Sequence, residues 1–257
     1  MLVTAGCSFV WGDELPGFDA DPPTHWEYTW THLLAEKLGM EYINMGMCGS
    51  CNDRIFRDVV DHLHNPDKEN PTHMVVIWSA WHRQEIVEEM PWSREVAVGV
   101  NRPLEATQFS PQRIGVIGKG RRRDILSEYY DGAYDVKTDI MHDITKMKTI
   151  ELLCKSLGIK LLQGTFHGRC WNNIIKILSQ IPSEPLADDR HFAEYVPEYA
   201  NWLKKSISSL DDNSRIGLGR GVSLFNWAVD IDDLCEHDHP GVQTQIEYAE
   251  YLHNKFV

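Results

Sequence analysis

The stretch Thr72–Ala80, THMVVIWSA, is apolar through its middle with no alternation. A strand with one wet face alternates apolar and polar residues. An unbroken run this short therefore belongs to a strand covered on both faces, as in a parallel sheet between helices. Three more short runs suit the same sheet: Leu2–Ala5, EYINMG beginning at Glu41, and IKLLQGTFH beginning at Ile159. Amphipathic segments separate them. YTWTHLLAEKLG sets Trp30, Leu33, Leu34 and Leu38 at helical spacing, with Gly39 as its stop. CNDRIFRDVVDHLH carries Ile55, Val59 and Leu63 on one face, with Asn52 or Asp53 near its N-terminus. DIMHDITKMKTIELLCKSLG keeps Ile140, Ile144, Met147, Ile150, Leu153, Cys154 and Leu157 in one stripe.

Further helical segments are expected around 173–181 and 194–207. A closing helix from about Val242 to Phe256 turns Val242, Ile246, Ala249, Leu252 and Phe256 inward. The order β-α-β-α-β, an insertion, α-β-α and a last helix predicts a doubly wound α/β domain. One domain spanning 1–257 accommodates it. From Pro91 to Tyr134 the pattern dissolves into Pro, Gly, Trp and charge, which predicts an insertion or lid without regular structure.

The 25 basic and 38 acidic side chains leave a net charge of −13. That balance argues against nucleic acid or an anionic membrane as the main partner. The patch Lys119-Gly-Arg121-Arg122-Arg123 reads as a solvated loop. No basic segment followed by a long apolar run opens the chain, so a cytoplasmic protein is expected, with its six cysteines as free thiols.

Ligands of open parallel sheets bind beyond the carboxyl ends of the strands. Three polar loops leave such ends: Gly6-Cys7-Ser8, Gly46 to Ser50, and Trp78 to Arg83. A fourth, CEHDHPG (Cys235–Gly241), stands before the last helix. A serine hydroxyl needs an imidazole to take its proton, an acid to orient that imidazole, and donors facing the oxyanion. Ser8 follows a glycine at a strand end, and His239, held by Pro240, has Glu236 and Asp238 beside it. The same residues admit plainer roles: a strand-ending turn at Gly6-Cys7-Ser8, a tight connection at Gly46 and Gly49, and a helix start at His239-Pro240.

Gly6-Cys7-Ser8-Phe9-Val10-Trp11-Gly12-Asp13 resembles the first block of the SGNH (GDSL-type) hydrolases, which carries the nucleophilic serine. Asn44-Met45-Gly46-Met47-Cys48-Gly49-Ser50 resembles the second block, N-x-x-x-x-G, and Glu236-His237-Asp238-His239-Pro240 the last, D-x-x-H-P. The aromatic-rich first block is also similar to members found in large bacteriophage genomes. The resemblance covers both ends and the core strands, but not 91–134. It implies a three-layer α/β/α, flavodoxin-like fold and hydrolysis of a carboxylic ester without a cofactor or metal.

By the same resemblance Ser8 is the nucleophile, His239 the general base and Glu236 the orienting acid, with Asp238 as substitute. The N–H groups of Ser8 and Gly49 form the oxyanion hole. The substrate is a small-molecule or glycan ester with a small acyl group. Two departures stand out. Glu236 occupies the position of the family's Asp, and the third block's Asn is missing after Trp78-Ser79-Ala80-Trp81. Ser79, Asn52, His82 and Arg83 are candidates to supply the lost donor. A binding or structural module on the same fold is the alternative, with Trp11, Trp78 and Trp81 as an aromatic rim for a sugar. A zinc or thiol site on Cys48, Cys51 and Cys235, with His237 and His239, is a third reading.

Overall fold

The computed structural model describes residues 1–21, 23–79, 84–87, 114–117, 136–167, 202, 205–216 and 223–257. Strand β1 (Leu2–Ala5) runs into a one-turn helix α1 (Ser8–Trp11), and a 3-10 turn (His25–Tyr28) leads to α2 (Trp30–Leu38). Next come β2 (Tyr42–Asn44), α3 (Asn52–His64), β3 (His73–Trp78), β4 (Gln84–Val87) and β5 (Ile114–Ile117). Helix α4 (Val136–Ser156), β6 (Lys160–Thr165), α5 (Leu224–Asp230) and α6 (Val242–Phe256) complete the order.

Four strands make one parallel sheet in the order β2-β1-β3-β6. All six residues of β3 are buried, as the apolar run THMVVIWSA requires of an inner strand. Helices pack on both faces and give two cores. Ile55 and Val59 of α3 join Ile140, Ile144, Met147 and Ile150 of α4 against Val3, Met74 and Val76. Trp30 and Leu34 of α2 join Tyr248, Ala249 and Leu252 of α6 against Leu2, Val75 and Ile77. The expected layered α/β fold with a parallel central sheet is thus present.

Three local expectations are corrected. Ile246 is exposed, and Thr244, Gln245 and Tyr248 take the buried face of α6 instead. Leu157 is exposed because the αL residue Gly158 ends the α4 stripe one residue beyond it. Within 91–134, Ile114–Ile117 pairs antiparallel with Gln84–Val87, so that stretch holds a strand. The remainder of the insertion and the helical segment around 173–181 lie outside the described residues, as does most of the segment around 194–207.

The sheet order puts the chain's reversal between β1 and β3, since β2 lies on one side of β1 and β3 on the other. The crevice at the carboxyl ends of β1 and β3 is the place such a sheet offers a ligand. Ser8 leaves one of those ends and Ser79 the other. Among the described residues no helix is long and apolar enough to cross a membrane.

Candidate active site

An isolated single turn of helix is unstable, because it fixes several backbone dihedrals for very few hydrogen bonds. Helix α1 is held from outside. Its closing carbonyls, which have no partner within the turn, each accept from a side chain. Trp30 Nε1 donates to Phe9 O at 3.2 Å, Asn44 Nδ2 to Val10 O at 2.7 Å, and His25 Nε2 to Trp11 O at 3.1 Å. Ser8 O accepts from the N–H of Gly12 at 2.9 Å and of Asp13 at 3.2 Å. Gly12 adopts φ +89°, the left-handed conformation that lets the chain leave the turn.

The glycine before the serine is a matter of space. A Cβ on Gly6 would lie 2.3 Å from Val10 Cγ2 and 2.8 Å from Ile77 O. On the neighbouring loop the contact glycine is Gly46, where a Cβ would lie 2.6 Å from Trp11 N. Gly49 adopts φ +75° in an exposed part of that loop, with nothing near the position of its missing Cβ. Asn44 locks the two segments together, since its Oδ1 also accepts from Gly46 N at 2.8 Å.

The histidine arrives from the other end of the chain on a tight hairpin. Cys235 N donates to His239 O at 2.7 Å and Asp238 N to Cys235 O at 3.2 Å, with Asp238 at φ +66°. Asp233 fastens this hairpin to α6. Its Oδ2 accepts from Thr244 N at 2.6 Å, and its backbone O accepts from Gly241 N at 2.7 Å. Gly241 itself offers α6 no capping side chain, so Asp233 supplies the cap from across the turn.

Ser8 and His239 meet: the Ser8 Oγ to His239 Nε2 distance is 3.0 Å. Ser8 is 5% exposed, and the His239 ring lies 5.3 Å from the Phe9 ring, centroid to centroid. On the far side of the imidazole, Nδ1 lies 2.8 Å from Glu14 Oε2. A carboxylate on Nδ1 fixes the proton there and leaves Nε2 as an acceptor for the serine proton. Asp13 Oδ2 lies 3.5 Å from Nε2, on the serine side.

Glu14 therefore occupies the place expected for Glu236. Both Glu236 and Asp238 are exposed, and neither makes a hydrogen bond to the His239 ring. The left-handed residue Asp238 turns the chain between Glu236 and the histidine, while Glu14, at φ +64°, is sent across from the serine's own loop. Burial drives the Glu14 carboxyl upward, but hydrogen bonds from the His237 ring, the His239 ring and the His237 N–H outweigh it. The carboxyl sits below the ordinary glutamate range. The sequence held one signal for Glu14, its place two residues past the left-handed Gly12 that ends the serine turn.

Of the candidate extra donors, Asn52 has its amide taken up by the Ser79 backbone and Asp143, while the buried Ser79 hydroxyl makes no hydrogen bond among the described residues. Ser79 N donates to Asn52 Oδ1 at 2.7 Å, while Asn52 Nδ2 donates to Ser79 O at 3.3 Å and Asp143 Oδ2 at 2.6 Å. Ser79 is fully buried. His82, Arg83 and Trp81 lie outside the described residues. Trp78 belongs to the core, with Nε1 donating to Gln163 Oε1, so it does not line the rim. Cys48, Cys51 and Cys235 are free thiols, and among the described residues no group of three or more His, Cys, Asp or Glu is placed to hold a metal ion.

A family of unknown function, DUF6071, matches residues 13–111. No curated protein matches the chain. Among solved structures it is similar to a protein assigned to the lipolytic G-D-S-L family from Desulfitobacterium hafniense DCB-2, with 12% identity, 99% of this chain and 98% of that one covered, and a TM-score of 0.45. A member of the same family from Veillonella parvula DSM 2008 shows 10% identity over 97% and 93% of the two chains, with a TM-score of 0.43. An acetyl xylan esterase from the rumen bacterium Butyrivibrio proteoclasticus shows 11% identity over 98% of this chain and 62% of its own, with a TM-score of 0.46.

Proposed function

We propose that this protein is a serine hydrolase of carboxylic esters, acting through Ser8, His239 and Glu14. The observation that carries the reading is the continuous chain from Ser8 Oγ to His239 Nε2 at 3.0 Å and from His239 Nδ1 to Glu14 Oε2 at 2.8 Å. His239 takes the Ser8 proton at Nε2 as the oxygen attacks the ester carbonyl. The imidazolium formed is stabilised by Glu14. The same Nε2 then protonates the departing alcohol, and a water molecule, deprotonated in its turn, releases the acid from Ser8. The N–H groups of Ser8 and Gly49 are the proposed oxyanion donors. The first N–H groups of a helix have no acceptor within it, which leaves that of Ser8 available. The tight enclosure of Ser8 favours a small acyl group such as acetyl, on a small-molecule or glycan acceptor.

A second reading is a glycan-binding module with little turnover. The engagement of Asn52 with Ser79 and Asp143 favours it, because one missing oxyanion donor costs about 10²–10³ in rate. The test is hydrolysis of p-nitrophenyl acetate and butyrate by the wild type, Ser8→Ala and His239→Ala. Turnover that requires both residues, and is faster on acetate, is expected. Turnover unchanged in Ser8→Ala would sink the mechanism.

A further inference from the structure

Glu14 serves two imidazoles. Its Oε2 faces His239 Nδ1, while its Oε1 is in hydrogen-bond contact with His237 Nδ1, and the His237 N–H lies 3.1 Å from both oxygens. The two histidines are therefore joined through one carboxylate. We propose that His237 is a positioning residue, which grips Glu14 by ring and backbone N–H so that the remaining lone pairs of Oε2 face the ring of His239; its catalytic consequence rests on the hydrolase reading above.

Three observations support this assignment. Glu14 stands in a left-handed conformation, at φ +64°, on a loop 225 residues away from His239 in sequence. Strained non-glycine residues persist where the surroundings over-determine them. A glutamate reaches its partner through three rotatable bonds, and an orienting acid must be held to within about 10–20° of its working geometry. One hydrogen bond to the histidine that it orients cannot fix all three. Finally, the His237 side chain is 73% exposed, yet its ring lies on the one oxygen that His239 leaves open. A freely solvated histidine has no reason to adopt that geometry.

The neighbouring charges agree. The hydrogen bond to Glu14 and its charge raise the His237 imidazole above the ordinary histidine range, and Glu236 and Asp13 act in the same sense. A protonated ring makes the hydrogen bond to the Glu14 carboxylate a charge-assisted one, the stronger class of hydrogen bond. Asparagine places an amide N–H close to where the histidine has Nδ1–H, so it can keep the grip without the charge.

The experiment uses the full chain with His237→Ala, His237→Asn and Glu14→Gln. By NMR, the His239 Nδ1 proton is expected to be protected from exchange in the wild type. It should be lost in His237→Ala and restored in His237→Asn. The His237 ring should titrate at lower pH in Glu14→Gln. With p-nitrophenyl acetate, kcat is expected to fall about tenfold in His237→Ala with KM unchanged, as for loss of an interaction made in the transition state. The loss should largely recover in His237→Asn and be absent when Glu14 is already glutamine, since coupled residues are not additive. A His239 Nδ1 proton and a kcat both indifferent to His237→Ala, beside Ser8-dependent turnover, would overturn the proposal alone. Absence of any turnover would count against the hydrolase reading instead, and the NMR arms would still decide whether His237 holds Glu14.

Discussion

Replacing Glu14 by glutamine separates the two candidate acids, because Glu236→Gln is its matched control. The effect follows from the positions of the charges. Glu14 Oε2 lies 2.8 Å from His239 Nδ1, so the carboxylate and the imidazolium that forms during attack stand close together. Two unit charges about 4 Å apart at an effective dielectric of about 20 attract by ~4 kcal/mol. On the proposed mechanism that charge develops in the transition state, so nearly all of that energy would appear in the barrier. At about 1.4 kcal/mol per decade, Glu14→Gln is expected to lower kcat by about 10³. The amide can also present N–H to Nδ1, which would favour the tautomer with its proton on Nε2 and add to the loss. Glu236 is exposed and makes no hydrogen bond to the ring, so Glu236→Gln should stay within about twofold, the scale of a weakly coupled surface charge. Initial rates on p-nitrophenyl acetate at saturating substrate, with circular dichroism to verify folding, read both. A larger loss in Glu236→Gln than in Glu14→Gln would refute the reasoning.

Gly46→Ala would bring a methyl group within 2.6 Å of Trp11 N and 2.8 Å of Val10 C, both backbone atoms that cannot rotate away. A loss of about 1–3 kcal/mol in urea unfolding is expected, together with a fall in kcat as the Ser8 turn shifts. Asp233→Ala removes the cap on Thr244 N and should cost about 0.5–2 kcal/mol, measured in the same way. Burial pushes the Asp143 carboxyl up to about 6, against the pull of Lys146 and Asn52. The folded state then holds that proton more tightly than the unfolded chain does. Its contribution to stability is fully present below about pH 4 and lost as pH rises through about 6, a swing of ~3 kcal/mol at 1.36 kcal/mol per unit. Wild type should therefore gain on Asp143→Asn by about that amount between pH 7 and pH 4 in urea titrations, whereas a constant gap would refute the assignment.

The strands and helices that build the sheet were legible because burial writes itself into period: THMVVIWSA has no polar face, and Ile55, Val59 and Leu63 repeat at helical spacing. The exposed Ile246 was misread because a stripe drawn through apolar residues alone passes over Thr244 and Gln245, which are buried with it. Gln245 earns its burial by accepting from Trp30 N and donating to Pro240 O, partners distant in sequence or beyond the helix. The strand Ile114–Ile117 was hidden by its length and its internal glycine. The meeting of Ser8 and His239 was legible because each sits at an element boundary with its glycine or proline. The partner of His239 was not. Glu236 occupies a plausible spacing, but spacing says nothing of the left-handed turn at Asp238 that separates it from the ring. Glu14 reaches the ring only because a hairpin folds the two ends of the chain together. Asn52 looked like a free donor for a similar reason, since nothing local reveals that Ser79 and Asp143 consume its amide.

The central claim is that Ser8 is a nucleophile activated by His239. Incubation with a fluorophosphonate, followed by intact mass and peptide mapping, tests it without knowledge of the natural substrate. One adduct per chain is expected, on the peptide containing Ser8, with none on Ser8→Ala and strongly slowed labelling of His239→Ala. A wild-type protein that leaves Ser8 unlabelled, or an adduct that persists in Ser8→Ala, would contradict it.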